Sequence, residues 1–443
     1  MISFLTLFLG LTAGPHAVQV SVAGQVAAVE VLLDGTAVGR TQAAPYSVTV
    51  DFGRDLSPHE LIARAIDRRG SELGRTRQWV NLPRPPAEVE ILLERDEKGK
   101  ATAGRLSVES LFGPTATSLS AAFDGRPLPI SGAERFELPP YDAETTHLLT
   151  VSAEFPNGVR SRRDLVIGGR SASVVSTELT ALPVRFSEGA APDAAALSAT
   201  FRKDGAALPV VAVERGPAQI LIVRGLSADE AMFKLGRGGN TMIDPTRRGA
   251  MPIYDSEALR LDLRLSDDDR FRFVWPRARM IATANPPREL FDSSHDFAGR
   301  EGGLRWLLTS VYHPARVEPH PRFADAVAIA GVQASGAHGR RAVLLVLGKG
   351  PTDASRYEPS NVRRYLSQLS VPLFVWSLEK PKGNRATEEW GDCEDISSLP
   401  KLRSAFARFA GALESQWIVW LAGEHRPQDI TLAPEARGIE LVR

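Results

Sequence analysis

The chain has 443 residues, with hydrophobic residues at 43% and charged residues at 24%; this ordinary globular balance excludes a disordered chain and a multi-pass membrane protein. Lysine plus arginine and aspartate plus glutamate both number 53, so no net field steers the chain to nucleic acid or an anionic bilayer. The length implies about three domains, the 37 glycines and 31 prolines favour turns and β-structure, and the one cysteine, Cys393, excludes an internal disulfide or a cysteine-rich zinc site.

The first element is an apolar run from Ile2 to Leu11, followed by the small residues Thr12, Ala13, Gly14 and Ala17. It is too short to span a bilayer and has the form of a signal-peptide core, so residues 1–17 are expected to be an export leader and the protein to be periplasmic or secreted. No Lys or Arg precedes Arg40, however, and a buried first strand or a truncated longer leader are the alternatives.

Residues 18–83 and 84–169 follow as two copies of one unit. Asp34-Gly35 leads to His59 and Gly70 in the first copy, Asp124-Gly125 to His147 and Gly158 in the second, with equal spacing from histidine to glycine. Alternating apolar positions such as Val29, Val31 and Leu33, closed by Asp-Gly turns, describe antiparallel β-sandwiches. Leu82-Pro83-Arg84-Pro85-Pro86 reads as the linker between them. The segments Val29 to Thr36 and Ala44 to Asp51 resemble bacterial immunoglobulin-like domains, which implies spacer or adhesive modules outside the cytoplasm. His59 and His147 occupy equivalent strand starts in separate repeats, so a packing or turn role is expected of them and not a shared metal.

Residues 170–443 open with a β-rich segment and then alternate buried-type strands with helices, the pattern of a parallel sheet with crossover connections. Strands are expected at Ile220 to Val223, Phe271 to Trp275, Ala342 to Leu347, Leu373 to Leu378 and Trp417 to Leu421. Helices are expected at Gly302 to Val311, Ala324 to Ala334, Val362 to Leu369 and Leu402 to Leu413. The expected fold is therefore multidomain: two all-β immunoglobulin-like sandwiches, then an α/β doubly wound, mostly parallel-sheet domain with a C-terminal extension.

Asp267 to Val274, Arg340 to Gly350 and Val371 to Leu378 resemble strands of von Willebrand factor type A domains, and Phe201 to Gly205 resembles the turn before their first sheet strand. The resemblance implies a protein-binding domain. Metal-binding type A domains hold Mg²⁺ at the C-terminal edge of the sheet with an Asp-x-Ser-x-Ser loop, a Thr and a further Asp, hard oxygen donors that suit this ion. Here Arg224, Leu226 and Ala228 fall on the loop positions, Pro321 near the Thr and Lys349 on the last Asp. A divalent ion ~5 Å from one such cation is repelled by roughly 6 kcal/mol at an effective dielectric of 20. No metal and no other cofactor is expected. Arg224 and Lys349 instead suggest a cationic socket for an acidic side chain of a partner protein; the alternative is that they pair internally with Asp229, Glu230 or Asp353. Gly236, Gly238, Gly239 and Pro245 are expected to interrupt any helix after the first strand.

Other signals are weaker. Gly348-Lys349-Gly350-Pro351-Thr352 lacks the spacing of a phosphate loop, so no nucleotide is expected. Gly225 to Asp229 has the look of a nucleophile elbow at Ser227 without its closing glycine, and nothing assigns His295, His313, His320 or His425 as its base. Glu318, His313 and His320 do not share a helical face, and Cys393 has acidic neighbours that disfavour its thiolate. The sequence thus reads as a non-enzymatic, exported protein-binding protein whose type A domain works without metal. The competing readings are a hydrolase using Ser227 and a purely structural envelope protein.

Overall fold

The computed structural model describes residues 2–8, 10–22, 24–83, 87–96, 100–110, 116–132, 134–145, 147–155, 160–167, 179–187, 192–243, 250–254, 265–281, 288–299, 319–337, 339–348, 352–379 and 388–443. The chain divides into one unit formed by residues 1–83, 180–421 and 425–443, and a second formed by residues 84–179 and 422–424.

The second unit is a sandwich. One sheet runs in the order Arg126–Leu128, Ser118–Phe123, His147–Glu154, Arg160–Ile167, and the other Ile130–Ser131, Arg135–Glu137, Ala101–Ser110, Ala87–Arg95. Alternation along the strands sends Phe123, Phe136, Leu149 and Val151 into the shared core. The first unit contains the other sandwich, with sheets Ile2–Phe4, Pro15–Val22, Tyr46–Asp51 and Thr36–Thr41, Ala28–Leu33, His59–Ile66, Glu72–Val80. The sequence repeat is the four-stranded sheet in each. Its Asp-Gly turn has both residues left-handed in each copy, Asp34 and Gly35 at φ 51° and 80°, Asp124 and Gly125 at φ 50° and 77°. The histidine then holds the turn, His59 Nδ1 lying 2.7 Å from Asp34 and His147 Nδ1 2.7 Å from Asp124. Residues 2–17, set apart in the sequence as leader-like, are taken into this sandwich. Ile2–Phe4 pairs antiparallel with Pro15–Val22, and Ile2 and Phe4 are buried because their alternation completes the apolar face.

The rest of the first unit is built on a mixed sheet of β1 (Ala218–Arg224), β2 (Arg270–Ile281), β3 (Arg288–Ser293), β4 (Arg340–Leu347), β5 (Leu373–Ser377) and β6 (Glu394–Asp395), in the order β3-β2-β1-β4-β5-β6. Only β3 and the short Phe297–Ala298 run antiparallel to β2; the other pairings are parallel. The described helices are α1 (Leu226–Gly236), α2 (Phe323–Gly336), α3 (Pro359–Gln368) and α4 (Leu399–Glu414). Ala342, Leu344 and Val346 of β4 face α1 and α4, while Val343, Leu345 and Leu347 face α2 and α3. Gly331 lets α2 and α3 touch, since a Cβ there would lie 2.7 Å from Leu366.

Two expectations are corrected. Trp417 to Leu421 lies in a strand, Gln416–Ala422, but in a separate sheet ordered Val210–Glu214, Gln416–Ala422, Leu179–Phe186, Ile439–Leu441, where its apolar face meets Leu182, Val184 and Phe201. A helix does follow β1, because the glycines begin only at its last residue, Gly236. The helix expected at Gly302 to Val311 lies outside the described residues.

Two consecutive arginines at the start of β4 point to opposite faces and collect the carbonyls where the helices end. Arg341, 1% exposed, donates to Ser335 O at 3.1 Å, Ser370 O at 3.0 Å, and Leu369 O and Ala181 O at 3.3 Å. The Ser335, Leu369 and Ser370 carbonyls mark the C-terminal ends of α2 and α3, where the helix dipole is negative, and Ala181 belongs to the neighbouring strand Leu179–Phe186. Burial pulls the Arg341 pKa down to about 10, still charged at neutral pH. Arg340 does the same for α4, donating to Leu413 O at 3.1 Å and to Asp269 at 2.9 Å.

The first sandwich is docked onto α3. Leu56, from a sandwich loop, is fully buried in the core on the α2–α3 face. Its backbone N donates to Asn361 Oδ1 at 3.0 Å, Asn361 Nδ2 donates to Asp55 at 3.1 Å, and the buried Tyr365 hydroxyl donates to Asn81 O at 2.6 Å. Arg426 pairs with Asp34.

Replacing Arg341 by Met should remove the guanidinium donor from four buried carbonyls and cost about 4 kcal/mol in thermal or denaturant unfolding, and Arg341→Lys should recover less than half, since one ammonium cannot span them. Phe4→Ala should cost about 3 kcal/mol in the same measurement.

Candidate functional site

A sheet of this order reverses direction between β1 and β4, and a ligand is expected beyond the carboxyl ends of those strands. The residues there come from four segments: the end of β1, the start of α1, the end of β4 and the start of α2. Gly348 lets the second and third meet. A Cβ on it would lie 2.4 Å from Ala228 N and 2.5 Å from Ser227 Oγ, so the chain leaving β4 runs against the first turn of α1.

Arg224 does not form the socket expected of it. It is 2% exposed, is ion-paired with the fully buried Asp229 one turn into α1, and stacks 4.5 Å over the Phe273 ring. Burial draws its pKa below the ordinary guanidinium value against the pull of Asp229. Of the internal partners considered, Asp229 is the one used, because helix formation after β1 carries it beneath the strand end. Lys349, the other half of the socket, lies outside the described residues. Leu226 is half-buried at the start of α1, Ala228 is fully buried, and Pro321 is buried with its carbonyl accepting from Ala354 N at 2.8 Å. None of these positions carries a side-chain oxygen.

The polar groups of this edge sit one step away, around the N-terminus of α2. Asp353 caps that helix from another loop, accepting from Phe323 N at 2.9 Å and Ala324 N at 3.1 Å while holding Ser355 Oγ at 2.6 Å. Asp325, 1% exposed, accepts from Arg322 Nε at 2.7 Å and from Arg356 N at 3.1 Å. Glu289 of β3 pairs with Arg322 and takes Arg356 Nη2 at 2.6 Å. Burial alone would raise the Glu289 pKa, but Arg322 and then Arg356 outweigh it and hold the carboxyl below its ordinary value. The sequence analysis named Pro321 and passed over Arg322, Asp325, Asp353 and Ser355. The Arg322 and Asp325 pair, three apart at a helix start, was a usable signal; the Asp353 cap was not, since it bonds residues 30 positions away.

Ser227 lies in the first turn of α1, and the hydrogen bonds of the described residues join no histidine to it. Burial and then Glu394 and Asp395 push the Cys393 thiol up to about 12, far from a thiolate at neutral pH. Among the described residues no group of three or more His, Cys, Asp and Glu is placed to share an ion. A cleft of about 360 Å³ opens at the opposite, N-terminal edge, lined by Arg215, Leu265, Asp269, Arg340 and Leu413.

No protein-family model and no curated protein matches the sequence. Among solved structures, the chain is similar to fibronectin(III)-like modules of CbhA from Clostridium thermocellum, at 18% identity over 18% of this chain and 93% of that one, with a TM-score of 0.17. It is also similar to the central fibronectin-III array of RIM-binding protein, at 10% identity over 44% and 81% of the two chains, TM-score 0.23. A β-glycosidase from Bacteroides vulgatus gives 15% identity over 38% of this chain and 24% of that chain, TM-score 0.19.

Because the Glu289 pKa is lowered on folding, its contribution is present above the ordinary value of 4.5 and is lost as pH falls through the folded value. Thermal midpoints measured from pH 6 to pH 3 should fall more steeply in the wild type than in Glu289→Gln. Gly348→Ala should cost about 2 kcal/mol by forcing the β4 exit away from α1, read by denaturant unfolding.

Proposed function

We propose that the chain is a non-enzymatic, extracytoplasmic protein-binding protein, in which two immunoglobulin-like units accompany a doubly wound domain akin to von Willebrand factor type A that binds without a metal. Support for the kinship is that the resembling segments, Phe271 to Val274, Arg340 to Leu347 and Leu373 to Ser377, lie in one parallel sheet with helices on both faces.

The observation that carries the metal-free reading is how the oxygen donors at the C-terminal edge are used. Asp229 is held by Arg224, Asp325 and Glu289 by Arg322 and Arg356, and Asp353 by backbone amides. Mg²⁺ requires carboxylates and hydroxyls open toward the ion. Residues already committed to guanidinium and amide donors, with Leu226, Ala228 and Pro321 between them, do not fit it. The contact to a partner then runs through direct charge at the rim. Arg356, with 60% of its side chain exposed, takes the role that the sequence suggested for Arg224, and Lys349 remains its companion.

Capture of binding partners from envelope fractions should be unchanged by EDTA, and Arg356→Glu with Lys349→Glu should weaken it about tenfold or more with the fold intact by circular dichroism. Release by chelator overturns the metal-free reading. Undiminished capture by the double variant removes the rim as the contact, and no specific capture at all favours a structural role.

A further inference from the structure

The two repeats share one histidine device, but they differ at its second nitrogen. In the second sandwich, His147 Nδ1 lies 2.7 Å from the Asp124 carboxylate, an acceptor. Its Nε2 lies 2.8 Å from Thr145 Oγ1 and 3.0 Å from Asp142 O. The Thr145 hydroxyl has one proton, and it is directed at Asp142 O, 3.0 Å away. Thr145 Oγ1 must therefore accept from Nε2, and a backbone carbonyl can do nothing but accept. Both ring nitrogens thus face acceptors, the environment of an imidazolium.

The groups around the ring come from every segment packed on it. Asp124 belongs to the hairpin turn and Arg126 follows it; Asp142 and Tyr141 come from residues 138–145, with Lys100 4.4 Å over the Tyr141 ring; Phe123 stacks on the imidazole at 5.1 Å. Residues 138–145 are the passage from one sheet of the sandwich to the other, from Arg135–Glu137 to His147–Glu154. Their other ties are Leu138 N to Thr102 O at 2.9 Å, Tyr141 hydroxyl to Ala101 O at 3.0 Å and Lys100 Nζ to Tyr141 O at 2.7 Å. In the first sandwich His59 keeps the Asp34 bond, but its Nε2 is buried with no acceptor among the described residues.

We propose that His147 is a proton-operated latch on the sheet-to-sheet passage of the second sandwich: charged, it ties residues 142–145 to the Asp-Gly turn, and neutral, it releases them. Loss of the proton leaves a lone pair on Nε2 facing the Asp142 carbonyl, and the Thr145 hydroxyl must then leave that carbonyl to serve the ring. The Asp124 hydrogen bond, against the smaller effect of burial, raises the His147 pKa above 6.5, so the tie is complete below that value and is lost as pH rises through the folded value. Asp124 is lowered by the same bond, so the tie also fails in acid, as pH falls through the folded Asp124 value, which lies below its ordinary one.

Hydrogen exchange of the full chain, corrected for the intrinsic rate, tests this on peptides spanning residues 138–147. Protection should fall by up to about tenfold per pH unit above pH 6.5 and then level off; His147→Gln should give a flat profile, and His59→Gln should retain the wild-type one. An NMR titration of the wild-type imidazoles, independent of how the variants fold, should place the His147 ring above 6.5. A ring that titrates at or below that value, or the same exchange profile in wild type and His147→Gln, overturns the latch.

Discussion

The α/β body depends on the cations placed where its helices end. Every helix that returns along a parallel sheet brings its negative terminus to the amino ends of the strands, and here three such termini crowd round β4. Because successive strand residues point to opposite faces, the Arg340-Arg341 pair serves both layers with one dipeptide. Arg341 has four backbone carbonyls and, among the described residues, no carboxylate partner, so its charge is balanced by dipoles, and its burial is tolerable only while all of them stay in place. Arg340 is anchored by Asp269, whose other contacts reach Ala218 N and Ser266 N, the starts of β1 and of the turn into β2.

With that edge fixed, α3 becomes a platform for the first sandwich. Leu56 enters the same core as Val343, Leu345 and Tyr365, and Asn361 satisfies both the backbone of Leu56 and the carboxylate of Asp55. A sandwich sharing a core with the α/β body is an integral part of it, which is more than the spacer role its family resemblance implied. The second sandwich is a compact unit with its own core.

The opposite edge of the sheet is held by paired charges. Charges there are neutralised pairwise inside the fold: Arg224 with Asp229 below the strand ends, and Arg322 and Arg356 with Glu289 and Asp325 beside α2. Where such pairs are buried, desolvation offsets much of their attraction, so they add little net stability. Arg356 is the most exposed member of these pairs, with 60% of its side chain open to solvent.

Much of the fold was readable in the residues. The repeat was visible because Asp-Gly turns require left-handed backbone and the histidine must return at a set distance to hold them, and the strands β1, β4 and β5 were visible because a strand covered on both faces is largely apolar, while the apolar stretch Phe271 to Trp275 marked β2. The sequence by itself therefore determined the elements, the two repeated sandwiches, and the lack of side-chain oxygens at Leu226, Ala228 and Pro321. Only the tertiary structure decided that Arg224 turns inward to Asp229, that Gln416–Ala422 joins another sheet, that Ile2–Phe4 closes a sandwich core, and that Asp353 caps a helix from another loop. Those outcomes depend on which surfaces meet after the chain has folded back, and burial and pairing between residues tens of positions apart leave no periodic trace along the chain.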